Sequence, residues 1–105
     1  MADITSGITI YEQDTGLSLA ADSPYGYKEI MVETADTVDN TDTFTITLAN
    51  YGITNVKTVK AFTHSISGSI IIVEDGTTSV TTGVLTFTVG GTTDNKKRVV
   101  IIGGY

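Results

Sequence analysis

Three aspartates spaced by three, Asp36, Asp39 and Asp42, with Asn40 among them, come nearer to chemistry than any other stretch of this chain. Side-chain oxygens at that density are hard ligands of the kind calcium takes from a loop. An EF-hand loop also needs oxygens at alternate positions, an internal glycine and a closing glutamate, and the segment lacks that pattern. Asp and Asn serve a second purpose equally well: they bond their own backbone and close turns. The spacing therefore favours a polar turn over a cation site at Asp36, Asp39 and Asp42. Asp14, Asp22 and Asp75 are the carboxylates that folding could add to such a site.

Nucleophilic chemistry has less to stand on. His64 is the only histidine, with Ser65 and Ser67 close by in sequence. Neighbours one and three residues apart in a strand and turn do not make a nucleophile and base by proximity alone, and no glycine-flanked serine elbow occurs. The expectation for His64 is an exposed or edge position on a strand. Neither Gly90-Gly91 nor Gly103-Gly104 precedes a helix or carries the lysine spacing of a phosphate loop. Lys96, Lys97 and Arg98 read as the solvated start of a strand, with contact to an acidic surface as the alternative. The five tyrosines could stack sugars, but without tryptophan that reading weakens. The sequence thus points away from an enzyme, and it calls for no cofactor.

Composition narrows the setting. A chain of 105 residues suits one domain, and a globule of this size buries roughly 65% of its unfolded surface. The absence of cysteine removes disulfides and thiolate metal sites. A net charge of −6 opposes nucleic-acid binding, which needs a basic face. The apolar runs at 70–73 and 99–102 are far too short to span a membrane as helices. The N-terminal residues show no basic-then-apolar leader pattern, so a soluble chain made in a cytoplasm is expected.

The elements that would position these residues are strands. Threonine makes up roughly a fifth of the chain, and with Ile, Val, Tyr and Phe it supplies the side chains strands prefer. Residues 43–48 are the clearest case, since Phe44, Ile46 and Leu48 alternate with Thr43, Thr45 and Thr47. Residues 8–13, 27–34, 55–65, 69–74, 79–81, 84–89 and 97–105 supply the other strands. The alternation slips near 59–62, which suggests a bulge there. A turn is expected at Asn50-Tyr51-Gly52, with Asn50 or Gly52 at positive φ. The runs at 70–73 and 99–102 are apolar at every position, as in strands covered on both faces by a second sheet or another subunit. The fold expected is all-β: an antiparallel β-sandwich or jelly roll of about eight short strands. Residues 1–24, which include Pro24, form an N-terminal arm and first strand, possible partner-ordered elements; residues 25–105 form the sandwich core of a single domain.

The blocks TADTVDNTDTFTITLANYGITNVKTVKAFTHS and SVTTGVLTFTVGGTTDNKKRVVIIGGY resemble small structural proteins of tailed bacteriophages. The resemblance covers the chain from about Glu29 onward. It implies a virion component on the outer capsid surface: a decoration, or cement, protein bound to the major capsid protein, acting as a homo-oligomer with a trimer favoured. Nucleic acid and membrane are not implied as partners. In that setting the interface candidates are Ile4, Ile8 and Tyr11 in the arm and first strand, Ile71, Val100 and Ile102 in the two-sided runs, and Tyr105. The alternative is a carbohydrate-binding or host-adhesion module of a phage tail or fibre, with Tyr25, Tyr27 and Tyr51 as its platform.

Overall fold

The computed structural model describes residues 2–12, 27–64, 70–74, 76–91 and 94–105. Its strands are β1 (Thr9–Glu12), β2 (Lys28–Glu33), β3 (Thr43–Thr47), β4 (Val56–His64), β5 (Ile71–Val73), β6 (Thr77–Thr81), β7 (Val84–Thr88) and β8 (Lys97–Gly104). They form a five-stranded sheet of order β1-β2-β8-β4-β5 and a three-stranded sheet of order β3-β7-β6. Every pairing between them is antiparallel. The protein is an all-β sandwich.

Threonine alternation makes the smaller sheet one-sided. In β3 and β7 Phe44, Ile46, Leu85 and Phe87 are buried and the threonines beside them are more exposed. Their register sets Phe44 opposite Phe87 and Ile46 opposite Leu85, with the two rings stacked 5.2 Å apart. The inward face of the larger sheet answers with Ile30 and Val32 from β2, Ala61 from β4, and Val100 and Ile102 from β8. Burial of these side chains, at about 25 cal/mol per Å² of apolar surface, is the main force holding the sheets together.

Three local expectations change. Leu48 is buried as expected, but it opens a single 3-10 turn, Leu48–Tyr51, instead of ending β3. That turn closes at Gly52, φ 71°, a left-handed conformation that glycine adopts without steric cost. The irregularity of β4 lies between Val56 and Thr58, earlier than the slip at 59–62 suggested. Pairing with β8 resumes in register from Thr58 onward, with Val59, Ala61 and Thr63 on one face and Thr58, Lys60, Phe62 and His64 on the other.

The described part of the arm belongs to the sandwich. Residues 2–5 run beside β3: Ile4 N–H donates to the Thr43 carbonyl (2.7 Å) and Thr43 N–H to that of Ala2 (2.7 Å). Ile4, Ile8 and Ile10 pack against the core. The connection containing Pro24, the turn at Ser67-Gly68 and Asp75 lie outside the described residues.

Candidate functional site

The aspartate segment folds as a turn whose carboxylates are taken up by backbone N–H groups. Asp42, buried to 7% exposure, accepts from the N–H of Asp39 (2.9 Å) and of Ala2 (3.1 Å). Asp39 accepts from the N–H of Asn95 (2.8 Å), while Asp94 accepts from the N–H of Asn40 (2.9 Å). These reciprocal bonds clasp the 36–42 turn to the loop before β8, beside a bridge between Val38 and Lys96. Asp36 points elsewhere, 3.7 Å from the Lys97 ammonium. The carboxylates do not converge on a point. Among the described residues, no group of three or more His, Cys, Asp or Glu is placed to hold a metal ion. Asp14 and Asp22, like Asp75, lie outside them.

His64 ends β4, half-buried, with Lys97 and Ile71 as its cross-strand neighbours. It is therefore not on an edge strand, because β5 and β8 flank it. Neither neighbour can act as its acid–base partner; Ser65 and Ser67 are outside the described residues.

The basic cluster divides in two, which corrects the expectation of a wholly solvated strand start. Lys97 faces outward, 3.6 Å from Glu33 and 3.7 Å from Asp36. Arg98 faces inward and is 1% exposed. Its guanidinium lies 3.6 Å from the Glu74 carboxylate and donates to the Lys96 carbonyl (3.3 Å). Thr34 fixes its backbone from both sides, donating N–H to the Arg98 carbonyl (3.0 Å) and accepting the Arg98 N–H at its hydroxyl (2.8 Å). Gly91, φ 89°, packs so closely on Glu74 that an added Cβ would fall 2.1 Å from the carboxylate oxygen. The signal was available in strand parity: Arg98 shares the face of Val100 and Ile102. The pair ties the centre of the larger sheet to the segment leading into β6. It is an internal strut.

The proposed interface residues separate along the same lines. Val100 and Ile102 are 0% exposed and belong to the core, so they are withdrawn as interface candidates. Ile4 and Ile8 are half-buried against that core. Tyr11, Ile71 and Tyr105 do lie on the surface. Tyr11 borders an outer-face hollow of about 240 Å³ with Glu12, Glu29, Met31 and Ile101. Of the tyrosines considered for a sugar platform, Tyr27 meets Tyr105 edge-on at 5.8 Å over Gly103, and Tyr51 packs on the core. Tyr25 is outside the described residues.

What remains is one open side. Ile70, Ile71, Ile72 and Val73 are between 45% and 68% exposed, and every residue of β6 is exposed. β5 is an edge of the larger sheet and β6 an edge of the smaller, and β6 begins soon after β5 ends. Among the described residues, exposed apolar side chains and the outer edges of β5 and β6 thus occur together on one flank, the combination that binds another chain.

No family model matches the sequence, and no curated protein matches it. Among solved structures, the catalytic domain of GH30 xylanase C from Talaromyces cellulolyticus aligns with a TM-score of 0.48 at 14% identity. The alignment covers 97% of this chain, which spans only 19% of the xylanase chain. A likeness at that level carries no argument about activity.

Proposed function

We propose that the protein is a bacteriophage capsid decoration protein: a homo-oligomer that binds the outer surface of the major capsid protein lattice and stabilises the head. The observation that carries the reading is the uncharged apolar edge at 70–73, exposed in a chain whose net charge is −6. A protein that cements a lattice needs adhesive surface and a firm fold, and it needs no reacting groups. The sandwich has both: a continuous core, and one flank that this chain does not cover. Its acidic charge keeps it off packaged nucleic acid, since phosphate contacts need basic groups.

The two blocks that resemble phage structural proteins meet in space. The Asp39–Asn95 and Asp94–Asn40 bonds join one block to the other. Their shared residues are therefore turn and clasp residues that hold the sandwich closed, in keeping with a structural role.

The test is binding to purified heads. Decoration predicts saturable attachment at a fixed copy number per capsid and a higher temperature of head rupture. A protein that leaves capsids bare and their rupture temperature unchanged is not a decoration protein. Glycan binding in the same preparation would instead favour the adhesion module.

A further inference from the structure

We infer that β5 is the seam of a two-fold dimer, in which β5 of one copy pairs antiparallel with β5 of a second copy, centred on Ile72. The inference deepens the homo-oligomer part of the proposed function and does not depend on the capsid part. It replaces a three-fold arrangement with a two-fold one.

The edges of the sandwich are not equally guarded. β3 is covered by residues 2–5 of its own chain, with a further bond from Thr45 N–H to the Thr5 hydroxyl (3.1 Å). β1 ends in Glu12, and β6 carries threonine and serine at four of its five positions. Sheet edges are normally blunted by charge, proline, bulges or cover. Among the described residues β5 has none of these: its three residues are Ile, Ile and Val, all exposed, in register with β4 throughout.

Charge decides which partner fits. Two copies of a chain carrying −6 repel each other wherever their acidic surfaces meet. They can approach where no charge is presented, and β5 is such a place. Among the described residues the nearest carboxylate, Glu74, is turned inward to the buried Arg98 and only 10% of its side chain is exposed. An uncharged, apolar strand is complementary to a copy of itself.

Backbone parity then fixes the register. Glu74 N–H donates to the Ala61 carbonyl (3.2 Å), so the opposed residues Ile72 and Thr63 are also a hydrogen-bonded pair and direct their N–H and C=O toward β4. Ile71 and Val73 therefore direct theirs outward, to the open edge. A two-fold axis at Ile72 sets Ile71 opposite Val73 of the second copy, and Val73 opposite Ile71. Both are hydrogen-bonded pairs, with Ile72 facing its own copy across the closer, non-bonded position. Any register shifted by one residue loses these bonds. The product is a continuous ten-stranded sheet, formed by joining the two five-stranded sheets.

The absence of cysteine makes the test clean, because Ile72→Cys introduces the sole thiol. Facing residues at a non-bonded position lie about 4.5 Å apart at Cα, within disulfide reach. Under mild oxidation, without capsids, Ile72→Cys should become a covalent dimer. Ile71→Cys should not, since its copies lie two residues out of register and beyond about 7 Å. Sedimentation of the unmodified protein should give twice the 11.1 kDa chain mass, and Val73→Lys should return it to a monomer that still unfolds cooperatively, at a melting temperature no longer dependent on protein concentration. A monomeric wild-type protein at high micromolar concentration overturns the inference. So does a trimer whose Ile72→Cys variant fails to cross-link. Val73→Lys that remains a dimer would also overturn it.

Discussion

The runs at 70–73 and 99–102, IIIV and VVII, are near-identical in chemistry and opposite in environment. The second lies in β8, the central strand of the larger sheet, with β2 and β4 on its flanks and the smaller sheet over Val100 and Ile102. The first lies in β5, with β4 on one flank only and more than two-fifths of each side chain exposed. An apolar run states that a strand requires cover. It does not state what supplies the cover. In β8 the chain covers itself; in β5 the described residues leave it exposed, and the inferred dimer would supply the cover.

The contrast is broken most forcefully by putting the same charge into both runs. Val100→Asp buries an unpaired carboxylate between its cross-strand neighbours Val32 and Ala61, a cost of several kcal/mol against a total stability of about 5–15 kcal/mol. The expected outcome is a chain without a cooperative melting transition in calorimetry. Ile72→Asp places the same group on the exposed edge, where substitutions usually change stability by less than about 0.5 kcal/mol. It should melt near the wild-type temperature while losing self-association. If the two variants melted alike, the distinction between self-covered and partner-covered runs would be wrong.

Arg98 sharpens the comparison next, because it is a charge that the buried run already tolerates. Removing one partner of a buried ion pair leaves the other desolvated and typically costs about 3–5 kcal/mol. Arg98→Ala should lower the unfolding free energy measured by chemical denaturation by that amount, and it should lower it more than Arg98→Met combined with Glu74→Gln. Equal losses in the two would show that the strut works by packing alone.

These cases mark what could be read ahead of the structure. The alternation in 43–47 and 84–88 specified two strands and their buried faces, because a period of two follows directly from the pleat. The turn at Gly52 was legible from residue type. Arg98 was legible in principle, since Val100 and Ile102 fix the parity of β8, but three adjacent basic residues suggested a solvated patch. The positions of the two apolar runs were not legible. Which strand becomes central depends on pairings across long stretches of chain, and no local pattern in IIIV or VVII encodes them. The aspartates were read correctly as a turn, yet the clasp to Asn95 and the bond to Ala2 link residues distant in sequence.

That clasp allows a milder perturbation. Asp42 accepts two backbone N–H groups, one from its own turn and one from the N-terminal segment that guards β3. Both bonds are only partly buried, and a net hydrogen bond typically contributes about 0.5–1.5 kcal/mol, so Asp42→Ala should lower stability by that order and raise amide exchange at Thr43 and Ile4. Calcium should leave the melting temperature of the wild-type protein unchanged. A calcium-dependent rise that Asp39→Ala abolishes would restore the cation site.

The smallest effect separates a guarded edge from an open one by pH. The Asp3 carboxylate accepts from the hydroxyl and N–H of Thr5, and these bonds hold its pKa below the ordinary 3.8. A carboxyl with a depressed folded pKa binds protons more weakly than it does in the unfolded chain. It therefore stabilises at pH values above 3.8 and loses that contribution as pH falls through and below this value. Thr5 also holds Thr45 of β3, so protonating Asp3 loosens the segment that covers that edge. Amide exchange at Thr45, corrected for the intrinsic pH dependence, should rise below pH 3.8 while exchange at Val73 does not change in step. Asp3→Asn should remove the pH dependence, and a Thr45 profile that is unaltered by this substitution would show that the N-terminal segment is held by its backbone bridge to β3 alone.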